Sequence, residues 1–399
     1  MLIGVVGKAN VGKSTFFKAC TLAEVEIANY PFATIKPNHG VGYVRVVDAG
    51  PDFGVVSNPR EGFILGKYRF VPVEMIDVAG LVPGAYEGKG MGNQFLDDLR
   101  QADILIHVID ASGGTNELGE PVEQGSYDPA NDIRFLELEL DMWYLNILKK
   151  PWEKFARQVQ QEHADVKKAI AKQFSGLGVK EDMVEEVLKK LGFDTSKVAS
   201  WSEEQIKALA VELRKRTKPM IIAANKVDTA SGRKNIDRLR EEFPEYTIVP
   251  CSAESELALK EAAKHGLIEY IPGEKDFAVK DESKLSDRQR KALEFIRQNV
   301  LQSFGSTGVQ QVLDTAVFDV LKYIAIFPGG VGKLQDQDGN YIPDCFLMPP
   351  GTTPLDFAFR LHTDFGKNFI KAINVRTKMP IAKDAPLKHR DVVEIMTSK

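Results

Sequence analysis

The segment Gly7-Lys8-Ala9-Asn10-Val11-Gly12-Lys13-Ser14 reads G-x-x-x-x-G-K-S and follows directly on the apolar run Leu2-Ile3-Gly4-Val5-Val6. Few folds accommodate such a segment. The chain must leave a buried strand, wrap closely on itself, and enter a helix whose N-terminus faces back into the loop. That strand–loop–helix unit is a phosphate-binding P-loop. The backbone around Asn10, Val11 and Gly12 and the helix start at Lys13, Ser14 and Thr15 are expected to surround phosphate oxygens. Lys13 would reach the β- and γ-phosphates, and Ser14 would ligate Mg²⁺.

The rest of the chain supplies the sheet that such a loop needs. Gly40–Val47, Val71–Ile76, Ile104–Ile109, Met220–Ala224 and Thr247–Pro250 read as strands. The run Ile104–Ile109 is apolar apart from His107, as suits a parallel strand covered on both faces. Alternation with helical segments predicts an α/β fold with a doubly wound sheet, the P-loop NTPase G domain. Between Ser112 and about Arg216 the strand pattern stops. Asp132–Leu148, Glu153–Phe174, Glu181–Leu191 and Ser202–Lys215 carry helical spacing, which predicts an inserted α-helical domain with a coiled-coil-like hairpin. Its mixed charges suit a solvated surface. After Cys251 come helices over Leu285–Phe304 and Thr307–Tyr323. A small β-grasp unit then holds a helix over Pro354–His362 and strands at Phe369–Asn374 and Val392–Met396. The expected domains are 1–112 and 217–318 for the two parts of the G domain, 113–216 for the insertion and 319–399 for the β-grasp unit.

Further motifs follow in the order a nucleotide site requires. Asp77-Val78-Ala79-Gly80 is D-x-x-G at a strand end. Asp77 there would hold Mg²⁺, and the Gly80 N–H would meet the γ-phosphate. Thr34, in the loop after the first helix, would complete the metal shell and order that loop. Asn225-Lys226-Val227-Asp228 is N-K-x-D directly after an apolar strand. Asp228 can accept bonds from N1–H and the 2-amino group of guanine, which adenine does not offer. Asn225 and Lys226 would brace the loop. Ser252-Ala253 follows the next strand, where the Ala253 N–H can meet guanine O6. The ordered set predicts guanine-nucleotide binding, with Lys13, Thr34 and Gly80 contributing to hydrolysis. Leu81 stands where many GTPases place a water-orienting Gln. Asn10 is therefore a candidate ligand for K⁺, or else stabilises its own turn. His107 is read as a packed strand histidine rather than a base. Gly80, Gly84, Gly88, Gly90 and Gly92 make the segment after Asp77 permissive, as suits a switch loop.

A chain of 399 residues exceeds one ordinary core. Its net charge of −4 gives no global nucleic-acid footprint, and no DNA partner is expected, although local basic patches remain open. Cys20, Cys251 and Cys345 are widely separated, which argues against a disulfide scaffold or zinc ribbon. No apolar run is long enough to span a bilayer. A first strand at residue 2 predicts no signal peptide, so a cytoplasmic protein without membrane association is expected.

Asn29-Tyr30-Pro31-Phe32-Ala33-Thr34-Ile35-Lys36-Pro37-Asn38 and Asp77-Val78-Ala79-Gly80-Leu81-Val82-Pro83-Gly84-Ala85 resemble the Obg-related GTPases. The helical insertion and the ending Gly351-Thr352-Thr353-Pro354-Leu355-Asp356-Phe357-Ala358-Phe359-Arg360-Leu361-His362 narrow the resemblance to the YchF-type branch with a C-terminal TGS domain. The resemblance covers essentially the whole chain. It implies ribosome or RNA association, and a role in translation or stress regulation. It also implies a hydrophobic residue in place of Gln, as at Leu81, and a link between Asn10 and K⁺ dependence. Many members carry a degenerate base-reading motif and prefer ATP. The intact Asn225–Asp228 here points to GTP and resembles an archaeal branch. Two other readings stay open: an ATP-preferring ATPase, and an RNA- or ribosome-binding adaptor with structural nucleotide. For the adaptor, Lys367, Lys371, Arg376, Lys378 and Lys383 offer scattered basic charge.

Overall fold

The computed structural model describes residues 1–21, 38–78, 92–149, 151–162 and 164–398. From the N-terminus, β1 (Leu2–Val6) leads through the P-loop into α1 (Lys13–Thr21), followed by β2 (His39–Val47), β3 (Phe63–Leu65) and β4 (Tyr68–Asp77). Next come α2 (Gly92–Gln101), β5 (Ile104–Asp110) and the helices α3 (Ala130–Lys149), α4 (Trp152–Gln161), α5 (Val166–Gln173), α6 (Glu181–Leu191) and α7 (Glu203–Thr217). Alternation resumes with β6 (Met220–Asn225), α8 (Ala230–Glu242), β7 (Ile248–Pro250) and α9 (Ala253–Lys264). Beyond lie β8 (Ile268–Glu269), β9 (Ala278–Val279), α10 (Asp287–Ile296), α11 (Gln302–Phe304) and α12 (Val309–Asp314). The chain ends with β10 (Ile324–Pro328), β11 (Phe346–Met348), α13 (Pro354–Leu361), α14 (Thr363–Lys367), β12 (Phe369–Asn374), β13 (Met379–Ile381) and β14 (Val392–Thr397). It divides into two compact units, Met1–Phe17 with Met75–Ala253, and Lys18–Glu74 with the residues from Glu254 onward.

In the first unit β1, β5, β6 and β7 run parallel in that order, with Val5 opposite Ile106 and Ile106 opposite Ile221. Every residue of β5 is buried, which is why its sequence is nearly continuous in apolar residues. The end of β4 lies beside β1, where the Val78 N–H donates to Val5 O at 3.0 Å. Helices α3 and α7 are joined by polar groups at the edge of their apolar faces. Arg214 Nε donates to Asp141 Oδ1 at 2.7 Å, and the hydroxyls of Tyr144 and Thr217 lie 2.7 Å apart. The single helix expected over Glu153–Phe174 is two helices. The Asp165 carboxylate accepts from the Lys167 N–H at 2.9 Å and starts α5 afresh, a side-chain-to-backbone bond that competes with helix continuation. Ser202 caps α7 in a reciprocal box with Gln205.

In the second unit β2 lies beside β4, and β3 pairs antiparallel with β4, Phe63 opposite Phe70. A five-stranded sheet in the order β11-β10-β14-β12-β13 forms its C-terminal part. Phe357 of α13 packs on this sheet with Ile326, Met348, Ala372, Leu387 and Val393. Pro354 at the first helical turn and the Thr353–Asp356 capping box fix where α13 begins. This sheet is tied to the β2–β4 region by arginines. Buried Arg69 donates to Ile342 O at 2.7 Å and to Pro343 O, while Arg376 and Arg390 share the Asp52 carboxylate at 2.6 and 2.9 Å. Of the basic residues expected to be scattered on this surface, Arg376 is thus committed to an ion pair, whereas Lys367, Lys371, Lys378 and Lys383 are exposed.

Candidate nucleotide-binding site

The P-loop leaves the carboxyl end of β1 and enters α1, whose first turn closes with the Phe16 N–H on Gly12 O at 2.8 Å. Gly12 has φ of 91°, and a Cβ at this position would collide with the amide of Asn225. Glycine is thus required twice, by backbone angle and by close approach. The Asn225 amide occupies that gap. Its Nδ2 donates to Val11 O at 2.9 Å, and its Oδ1 accepts from the Ala253 N–H at 3.0 Å. One buried side chain therefore staples the P-loop to the Ser252–Ala253 loop. Asp228, three residues on, is held by the Ser252 hydroxyl, which donates to its Oδ1 at 2.9 Å. The Lys226 ammonium donates to Asn10 O at 2.8 Å.

Asn10, Val11, Gly12, Asn225, Lys226, Asp228, Ser252 and Ala253 are thereby brought into one bonded network, with Lys13, Ser14 and Thr15 opening the helix beside it. Lys13 turns its ammonium to the Asp77 carboxylate and to Val78 O at 2.9 Å, which places the D-x-x-G aspartate next to the P-loop. Thr34, Gly80 and Leu81 lie outside the described residues, as do Gly84, Gly88 and Gly90; Gly92 opens α2. The Ser14 hydroxyl and Asp77 carboxylate are hard oxygen donors that suit Mg²⁺. Among the described residues no group of three or more His, Cys, Asp or Glu side chains could hold a metal. An ion beside Ser14 and Asp77 would draw further ligands from elsewhere, phosphate and water among them.

His107 is buried in β5, and burial pushes its pKa down to about 3. The ring is neutral and packed, with no protein partner for Nδ1 among the described residues. Cys20 and Cys251 are likewise buried.

Sequence reasoning missed the strap between β5 and α3. Asn10 has φ of 62°, and its Nδ2 donates to Gly119 O on this strap at 2.8 Å. Gly119, at φ of 81°, lies so near the P-loop that a Cβ there would sit 2.7 Å from the Ala9 Cβ. Lys8, a variable position of the motif, is buried. It donates to Asp132 Oδ1 at 2.7 Å and to Thr115 O at 2.9 Å, with the Tyr127 ring 3.9 Å away. Asp132 lies in the first turn of α3, so the P-loop is bolted to the root of the helical segment. Asp110, which closes β5, is engaged by Lys226, Ser112 and Thr115. Burial opposes its ionisation, but these hydrogen bonds outweigh burial and hold the carboxyl below its usual range. The one available signal was a carboxylate at the end of an otherwise apolar parallel strand, where α/β sheets place their ligands.

Family models match most of the chain. A model of the 50S ribosome-binding GTPase family matches residues 2–136, and one of the G4 motif-containing domain of Obg-like, YGR210-like GTPases matches 223–330. A model of the TGS domain matches 332–397. A GTP-binding protein of Methanocaldococcus jannaschii is 47% identical, over 100% of this chain and 99% of its own length. The ribosome-binding ATPase YchF of Bacillus subtilis is 34% identical over 64% of this chain and 66% of its own. The crystal structure of a GTP-binding protein from Pyrococcus horikoshii superposes with a TM-score of 0.79 at 42% identity and full coverage of both chains. With its P-loop G domain and C-terminal TGS domain, the chain belongs to the YchF-like Obg family of GTPases.

Proposed function

We propose that the protein binds GTP and hydrolyses it slowly to GDP and phosphate, acting as a nucleotide-dependent switch on a ribosomal or RNA partner in the cytoplasm. The observation that carries the guanine reading is the Asn225 staple. By joining Val11 O to the Ala253 N–H, it holds the P-loop and the Ser252–Ala253 loop together, with Asp228 bonded to Ser252 beside them. Guanine would then meet two acceptor bonds at the half-buried Asp228, and its O6 would share the Ala253 N–H with Asn225 Oδ1, whereas adenine would offer Asp228 neither donor. Lys13 would stabilise charge on the β- and γ-phosphates. Ser14, Asp77 and Thr34 would hold Mg²⁺, which supplies charge neutralisation between the phosphates when bound. With Leu81 in the Gln position, in-line attack by water would rely on backbone groups near Gly80. Asn10, whose amide is oriented by Gly119, would offer its oxygen to K⁺. Division into a G domain at 1–112 and 217–318, an insertion at 113–216 and a TGS unit at 319–399 belongs to the same proposal.

The ribosomal partner rests on the name of the B. subtilis relative. That name also supports a second reading, an ATPase, and an adaptor whose nucleotide is only structural is the third. Among the described residues no helix is long and apolar enough to cross a membrane. The deciding experiment is titration of the full chain with GTP, GDP and ATP in Mg²⁺ and K⁺, then ribosome co-sedimentation in GDP and in a non-hydrolysable GTP analogue. Guanine preference with nucleotide-dependent co-sedimentation supports the switch. Tighter ATP binding favours the ATPase, and co-sedimentation indifferent to nucleotide favours the adaptor.

A further inference from the structure

Asp110 is 1% exposed at the carboxyl end of β5 and has no assigned contact with nucleotide in the reading above. Both of its oxygens are used. Oδ1 accepts from the Ser112 N–H at 3.0 Å and from the Ser112 hydroxyl at 2.5 Å. Oδ2 accepts from the Thr115 hydroxyl and, at 2.8 Å, from the Lys226 ammonium. Lys226 is the second residue of N-K-x-D and has φ of 65°, a left-handed backbone that a lysine adopts only under constraint from its surroundings. The constraint on its side chain is visible at the far end. The ammonium is stretched between Asp110 and the P-loop carbonyl of Asn10, so the four-carbon stem is fixed before any base arrives. The turn after Asp110 is also bonded to the first residue of the N-K-x-D motif and to the following helix α8. The Ala111 N–H donates to Asn225 O at 2.9 Å, and the Asn235 amide of α8 donates to Ala111 O at 2.8 Å.

We propose that Asp110 is a positioning residue for base recognition: through Lys226 it holds the N-K-x-D loop in the shape that aims Asp228 at guanine. Phosphate binding, which rests on the P-loop backbone and Lys13, does not depend on it. This inference rests on the guanine reading of the site. A buried aspartate with all its acceptor sites engaged, one of them by the motif lysine, differs from a general core polar group in what its loss does. It should cost base selectivity and not nucleotide binding at large.

The test is equilibrium binding of GDP, ADP and inorganic tripolyphosphate to the full-length protein, wild type and Asp110→Asn, Lys226→Met and the double variant, with thermal unfolding run alongside. Asp110→Asn keeps the shape and removes the charge that holds Lys226. The expected result is about a tenfold loss of GDP affinity with ADP and tripolyphosphate binding unchanged. Lys226→Met should lose a similar factor, and the double variant should lose no more than Lys226→Met alone, because Asp110 acts through that lysine. Equal loss of all three ligands, or losses that multiply in the double variant, would overturn the proposal. Wild-type protein that does not prefer GDP to ADP would instead overturn the guanine reading on which it rests. Should Asp110→Asn fail to fold, Ser112→Ala with Thr115→Val removes the two hydroxyls that fix the carboxylate against Lys226. A loss of about threefold confined to GDP is then expected, and unchanged GDP binding overturns the inference.

Discussion

In the proposed site Asp228 would read the base, and its partner shows how the carboxylate is held. The Ser252 hydroxyl fixes Oδ1, so the carboxylate presents a fixed pair of acceptors. Asparagine at this position would offer one acceptor and one donor, a pattern that fits xanthine, whose C2 carbonyl replaces the guanine amino group. Asp228→Asn is expected to weaken GTP binding by about a hundredfold or more and to bind xanthosine triphosphate better than GTP, measured by competition titration. His107 supports a second prediction at this scale. Its folded pKa of about 3 lies below the ordinary 6.5, so between these values the unfolded chain binds the proton and the folded chain does not. Stability therefore rises with pH across that window and is lost as pH falls through it, by about 1.4 kcal/mol per pH unit where only one state is protonated. Urea unfolding of His107→Leu between pH 4 and 7 should show that much less slope than wild type.

At the scale of elements, the helical segment is held by groups that its apolar stripes do not reveal. Arg214 of α7 is 1% exposed and pairs with Asp141 of α3, with Glu137 and Tyr246 nearby. Truncating one partner of a buried pair leaves the other uncompensated. Arg214→Ala should lower the unfolding free energy by about 3 kcal/mol in urea titration, and adding Asp141→Ala should cost less than the sum of the two single changes. Helical spacing placed α3, α6 and α7 to within two residues, and each buries side chains at that spacing. It failed at Asp165, where one short polar side chain redirects the backbone without altering the surrounding spacing. The strap from Ser112 to Pro129 had no periodicity to read, since its residues are chosen by the P-loop and Lys226 rather than by a sheet or helix face.

At the scale of the whole molecule, the C-terminal sheet is joined within its unit to the turn after β2. Asp52 accepts from both Arg376 and Arg390, and Arg390 Nε also donates to Val47 O at 2.9 Å. All three ionic side chains are partly exposed, so screening limits the pair energies. Asp52→Ala should cost about 1 kcal/mol, yet it removes the anion that two guanidinium groups share. The expected signature is local, namely faster amide hydrogen exchange in β12, β14 and the Gly50–Phe53 turn, with β1, β5 and β6 unchanged. Unchanged exchange throughout would show that the buried Arg69 bonds to Ile342 O and Pro343 O suffice to hold the sheet.

Sequence alone determined the family of this protein, a P-loop GTPase with a TGS domain. The P-loop, D-x-x-G, N-K-x-D and S-A motifs are contiguous strings whose backbone requirements, a close turn or a strand end, are local and therefore legible. The apolar runs likewise announced a parallel sheet, because burial on both faces leaves no room for alternation. Tertiary structure alone decided which side chains hold those motifs together. Asn225 was legible as a motif residue, but its bonds to Val11 O and the Ala253 N–H span 214 and 28 residues. Lys8 and Asp132 are 124 residues apart, and Asp110 and Lys226 are 116 apart. Hydrogen bonds between charged groups carry no periodicity, and their partners are selected by distances in space that only the folded sheet sets.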